Sequence, residues 1–256
     1  SKMIEELNNS STDTENDLSL QVISAISEKD TTKLNTLSEN NKEQIDTLTQ
    51  SAVKNAGSSQ ESADLIAQVV ANASDDFANQ IIGEVTKNSI DENQALSAKV
   101  MKSIVETTPD KVENLSDENK DKLISQTIEA AKNQAEGTSS DELDLSNTIA
   151  EIVTNSDTGT AAKVLESLEE ASNNSDSKLS LSVVSNLTKQ ENYEEKMEIL
   201  SVTSSVVDQS INKLIEKAVE NASSEEDLEL VTDIVENSKG TIGDKIVNSA
   251  NKNEES

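Results

Sequence analysis

One set of apolar stripes recurs three times, in the same order, along this chain, and few folds accommodate such a pattern. Leu18, Val22, Ile23 and Ile26 return 78 residues later as Leu96, Val100, Met101 and Ile104, and 161 residues later as Leu179, Val183, Val184 and Leu187. A spacing of i, i+4, i+5, i+8 places four side chains on one side of an α-helix. Leu34, Leu37, Ser38 and Lys42 are answered by Val112, Leu115, Ser116 and Lys120, then by Met197, Leu200 and Ser201. Ala52, Val53, Lys54 and Asn55 correspond to Ala130, Ala131, Lys132 and Asn133, and to Ala218, Val219, Glu220 and Asn221. Ile66, Val69, Val70 and Asn72 match Ile149, Ile152, Val153 and Asn155 at +83, and Val231, Ile234, Val235 and Asn237 at +165. At the same two offsets Ile81, Ile82 and Val85 map to Val164, Leu165 and Leu168, and to Ile246, Val247 and Ala250.

This register decides a question that composition leaves open. The hydrophobic fraction is 33%, the net charge is −29, and Leu, Ile, Val and Phe occupy 60 of 256 positions. Those values lie close to the range of disordered chains. A disordered chain, however, has no reason to keep helical stripes in register over three copies. With one Phe, one Tyr and no Trp, the core must be aliphatic, which suits thin two-layer helix packing better than one thick core.

Each unit reads as about five helices, near residues 17–28, 31–37, 39–56, 61–73 and 76–88 in the first copy. Ser38 and Ser116 stand at expected N-caps. Pro109, the only proline, follows Thr108 at a helix start, where its missing donor costs nothing. Gly57 and Gly137 stand at expected left-handed C-terminal caps. Period-two alternation is absent, so no sheet is expected.

The expected fold is therefore all-α, with three tandem units of about 80 residues. They are a flexible N-terminal segment at 1–15, units at 16–93, 94–177 and 178–250, and a flexible tail at 251–256. Within a unit, Gln21-Val22-Ile23 is similar to Gln68-Val69-Val70, and each is followed by a turn and a second apolar helix. The unit thus divides into helical hairpins of roughly 40 residues, a length similar to the two-helix repeats of HEAT and armadillo α-solenoids. The resemblance is architectural. The chain lacks that family's Pro, Asp and Arg pattern, and no functional residue is carried across. The resemblance implies an α-solenoid, and a row of small separate bundles is the alternative arrangement.

Composition narrows function by removing chemistry. There is no His, no Cys and no Arg, hence no proton shuttle near neutral pH, no thiolate, and no bidentate clamp. Fifty carboxylates against 21 lysines disfavour nucleic acid, because phosphate neutralisation needs a concentrated basic face. No apolar run reaches membrane-spanning length. The six glycines never pair as G-x-G, so phosphate-cradling loops have no support.

Two constellations merit weighing. Ser51 and Lys54 have the Ser-x-x-Lys spacing of some acyltransferases, but the aligned Lys132 has Glu129 three residues before it, and Ser and Lys are too common for the match to be specific. Asp117, Asn119 and Asp121 open like a calcium loop, yet Lys122 stands where the turn glycine belongs and Ile128 where the bidentate glutamate belongs. A solvated helix start with acids at the positive dipole end explains them better. No catalytic, cofactor or metal residue is therefore assigned and no cofactor is expected.

The expected function is a non-catalytic structural or scaffold repeat protein. It would bind a protein partner or itself through an extended acidic helical surface, without nucleic acid or membrane insertion. An acidic, ion-binding or mineral-associated surface protein is the alternative, and the diffuse negative field leaves room for weak calcium binding. An enzyme ranks behind both. If a targeting segment has been removed ahead of Ser1, a secreted or cell-surface location is expected.

Overall fold

The computed structural model describes residues 18–57, 59–89, 94–137, 143–173, 178–191, 193–222 and 224–238. Among them every regular element is a helix. In chain order these are α1 Leu18–Lys29, α2 Thr31–Asn40, α3 Lys42–Asn55, α4 Gln60–Asn72, α5 Asp75–Asn88, α6 Gln94–Thr107, α7 Pro109–Glu113, α8 Asp117–Ala135, α9 Leu145–Asn155, α10 Thr158–Asn173, α11 Lys178–Lys189, α12 Tyr193–Thr203, α13 Ser205–Asn221 and α14 Glu225–Asn237. The all-α reading stands. The chain clusters into two compact units, residues 1–127 and 128–256, divided inside α8. The proposed end segments 1–15 and 251–256, and the stripe Ile246, Val247 and Ala250, lie outside the described residues.

Local chemistry explains where helices begin and stop. The Ser59 hydroxyl accepts from the Ser62 amide at 3.1 Å, and that of Ser116 from the Asn119 amide at 3.3 Å, each satisfying a first-turn donor. Ser224 and Asp227 close a full capping box on α14. Pro109 is the first residue of α7, behind Thr108. Gly57 and Gly137 have φ of +59° and +71°, the left-handed values that end a helix without a Cβ penalty. Ser38 departs from expectation: it falls within α2, and α3 starts at Lys42 behind Asn41, whose side chain makes no capping bond. Asn41 reverses the chain three residues beyond the expected point, because α2 keeps its hydrogen bonding through Asn40.

In the first unit α1, α4 and α6 form one row of neighbours, and α3 and α5 pack in a second row that α2 joins through α3. In the second unit α9, α11 and α14 form the corresponding row, with α10 and α13 beside it. The core lies between rows: Ile66, Ile82, Leu96 and Ile104 in one unit, and Leu145, Ile149, Ile152 and Leu165 in the other, are fully buried. Aligned stripes are not equally covered, though. Val70 and Val153 are 0% exposed, whereas the aligned Val235 is 41% exposed. Helix α4 is flanked by α1, α5 and α6, and α9 by α10, α11 and α12, while α14 packs on α11.

Candidate functional site

The residues singled out for chemistry do not converge. Ser51 is half-buried and Lys54 exposed on α3. Asp117, Asn119 and Asp121 all lie on the first turns of α8, so they follow a helical path rather than wrapping around an ion. Asn119 is already engaged. Its Nδ2 donates to the backbone oxygen of Asn79 at 2.8 Å and to its Oδ1 at 3.1 Å. Beside them, Lys122 hydrogen-bonds Glu118 at 2.8 Å one turn away, and that bond, then the ammonium charge, holds the Glu118 carboxyl below its ordinary value. Among the described residues, no group of three or more Asp or Glu could hold a metal ion.

Several polar side chains at the helix interfaces reach a helix about 40 residues away and so serve the fold. Across α1 and α4, Gln68 donates to Glu28. Across α11 and α14, Lys189 donates to Asp233 at 2.7 Å. Asp233 is the +165 counterpart of Gln68, and Lys189 the +161 counterpart of Glu28. The same aligned positions therefore meet, with donor and acceptor exchanged between rows. Ser103 on α6 donates to Asp64 on α4 at 2.6 Å. Their +83 counterparts, Asn186 and Asn147, lie on α11 and α9, where Asn186 donates to Ser146 at 2.8 Å and Gln190 to Asn147 at 3.0 Å. In the second row of the first unit, the Oδ1 of Asn35 accepts from the Ser74 amide at 2.9 Å and that of Asn79 from the Ser116 amide at 2.7 Å. Neighbouring helices are thus tied at successive N-caps. None of this is visible in a single helix's sequence, since each bond needs its partner one hairpin away.

Open grooves lie along the α1, α4, α6 row and its counterpart. An open groove between α4 and α6 is lined by Glu61, Asp64, Leu65, Gln68, Ser103 and Glu106, without a lysine among its walls. A second groove, beside α14, is lined by Glu226, Glu229, Leu230 and Asp233, which are the +165 counterparts of Glu61, Asp64, Leu65 and Gln68. Here Lys178 reaches Glu226 at 3.0 Å and Lys189 reaches Asp233. Each groove sets leucine beside carboxylates.

No helix among the described residues is long and apolar enough to cross a membrane. No protein-family model matches the chain, and no curated protein matches it. Among solved structures, one from work on the computational design of self-assembling cyclic protein homooligomers aligns over 99% of this chain and 97% of its own, at 15% identity and a TM-score of 0.24. A likeness that slight carries no argument about this chain.

Proposed function

We propose that this protein is a non-catalytic scaffold, a row of stacked helical hairpins in the manner of an α-solenoid, that binds other proteins or its own copies through its acidic helical surface. The observation that carries this reading is the recurrence of exposed carboxylates at aligned positions of corresponding helices, Glu61 and Asp64 on α4 and Glu226 and Glu229 on α14. Cross-links between helices about 40 residues apart support the stacked arrangement, because a repeat array holds each element chiefly by its neighbours. Catalysis finds little support where the interfacial polar groups are spent on one another and the grooves are open. A field of this sign favours fast, salt-sensitive encounter with basic surfaces.

Light scattering from about 1 μM to 1 mM, with the chain alone and with hen lysozyme as a basic protein probe, tests the reading. The expected result is mass above the 27.5 kDa of the monomer in at least one series. The lysozyme-dependent part should disappear when Glu61, Asp64, Glu226 and Glu229 are replaced by their amides. A mass of 27.5 kDa throughout overturns it.

A further inference from the structure

In each unit the helix that carries the Ile66-type stripe, α4 or α9, packs on the next helix of its row, α6 or α11. Helical phase places Ala63, Ala67 and Val70 on the side of α4 from which Gln60 and Asp64 bond Ser103 of α6, at 3.1 and 2.6 Å. All three are buried, as are Ala150 and Val153 on the matching side of α9. Their +165 counterparts on α14 are Leu228, Thr232 and Val235, and all three are exposed, Leu228 at 58%. Helix α1 shows the opposite edge. Val100 and Ile104 of α6, and Val183 and Leu187 of α11, are buried, whereas the aligned Val22 and Ile26 of α1 are half-buried and Ala25 between them is exposed. Among the described residues, then, α14 lacks the cover that α6 gives α4, and α1 lacks the cover that α4 gives α6. The flanking sequence aligns with a different helix: Ile246, Val247 and Ala250, and at −78 Met3, Ile4 and Leu7, are counterparts of Ile81, Ile82 and Val85 on α5. Helices α5 and α10 pack on α4 and α9 as well, yet α6 and α11 still occupy the side in question.

We propose that α1 of one copy of this chain docks on α14 of another, remaking between copies the pairing of α4 with α6. The inference rests on the self-binding reading above and names its two faces. The chain itself identifies the occupant, because α6 and α11 cover this side of α4 and α9, and α1 is the counterpart of both. Side chains on the two open faces match each other position by position. Across α9 and α11, Asn186 donates to Ser146 at 2.8 Å and Gln190 to Asn147 at 3.0 Å. The residues aligned with the first pair are Ala25 and Leu228, both apolar and both exposed. Those aligned with the second are Lys29 and Glu229, opposite in charge and both exposed. A polar pair has become an apolar one and an amide pair an ion pair, so each position keeps a partner suited to it. The two faces differ, which makes the contact heterologous: every added copy leaves one α1 and one α14 edge open, and growth continues or closes in a ring.

Sedimentation velocity of the full chain from about 10 μM to 1 mM, in roughly 500 mM NaCl to screen the repulsion between copies of charge −29, tests the contact. The expected result is association that grows with concentration. Ala25→Glu and Leu228→Glu each place an unpaired charge in one face, and each should weaken self-association at least about tenfold. Mixed in equal amounts, the two variants should form a dimer and nothing larger, because each retains the face that the other has lost. Ser125→Glu, which adds the same charge at an exposed position of α8, should leave the wild-type association within about twofold. Unchanged far-ultraviolet dichroism shows that the variants fold. A wild-type chain that stays monomeric at about 1 mM overturns the proposal, and the lysozyme series alone then decides the wider binding reading. Association that survives either variant, or a mixture that stays monomeric, overturns the proposal while leaving self-binding in place.

Discussion

Val70, Val153 and Val235 occupy one aligned position in three copies, and truncating each to alanine measures how far the repeat is an energetic equivalence. Removing two methyl groups from a fully buried site forfeits about 1.6 kcal/mol of transfer free energy, and the partly collapsed cavity brings the cost to roughly 2–3 kcal/mol. Alanine's better helix propensity returns about 0.5 kcal/mol at all three sites. Val70 and Val153, at 0% exposure, should therefore each lose about 2 kcal/mol. Val235 is 41% exposed, so its wild-type side chain has already forgone much of that burial, and Val235→Ala should cost less than about 1 kcal/mol. For a unit of this size 1 kcal/mol corresponds to about 3–6 °C in Tm. Thermal melts followed at 222 nm should show the affected transition moving by roughly 6–12 °C for Val70→Ala and Val153→Ala, and by less than about 5 °C for Val235→Ala. A harsher version sharpens the contrast. Ile152→Asp places an unpaired charge at a fully buried site, a cost of several kcal/mol that approaches the whole stability of a domain, and should abolish the cooperative melt of its unit. If Val235→Ala costs as much as Val70→Ala, the assignment of covered and uncovered faces is wrong.

Two further outcomes follow from individual bonds. Asn79→Ala removes the acceptor of the Ser116 amide and one acceptor of the Asn119 side chain, so urea unfolding should lose about 1–3 kcal/mol through a lower midpoint at unchanged m. For Glu118 the folded value is lowered, so the stabilisation is present above its unfolded value and is lost as pH falls through the folded one. In a carboxyl-carbon NMR titration Lys122→Gln should move the Glu118 midpoint upward, because the bond from Lys122 is the first cause of the lowering.

The legible part of this protein is what depends on one helix at a time. The boundaries of α1 and α5 lie within a residue of those expected, Pro109 and Gly57 mark ends where single-residue backbone chemistry places them, and Ile66, Ile104 and Leu165 are core because their helical phase says so. Ser38 misled because serine suits both an N-cap and the closing turn of a preceding helix, and only the reversal at Asn41 decides between them. The partner of Gln68 was hidden for another reason. One row uses Glu28 and the other Lys189 at the same aligned position, so residue type changes while the contact persists. The exposure of Val202, 82%, was hidden as well, since in sequence an exposed valine and a core valine are the same letter.

That exchange of Glu28 and Gln68 for Lys189 and Asp233 bears on where function can reside. A catalytic constellation needs polar groups held in position and left unsatisfied until substrate arrives. Here Asn79, Asn119, Asn147, Asp64 and Gln68 are held in position by bonds to neighbouring helices, which is the use the scaffold reading gives them. Because aligned cross-links tolerate a change from an amide–carboxylate bond to an ion pair, their conserved property is complementarity rather than any one functional group. The proposed binding therefore falls to exposed positions outside these cross-links, such as Glu61 on α4 and Glu229 on α14.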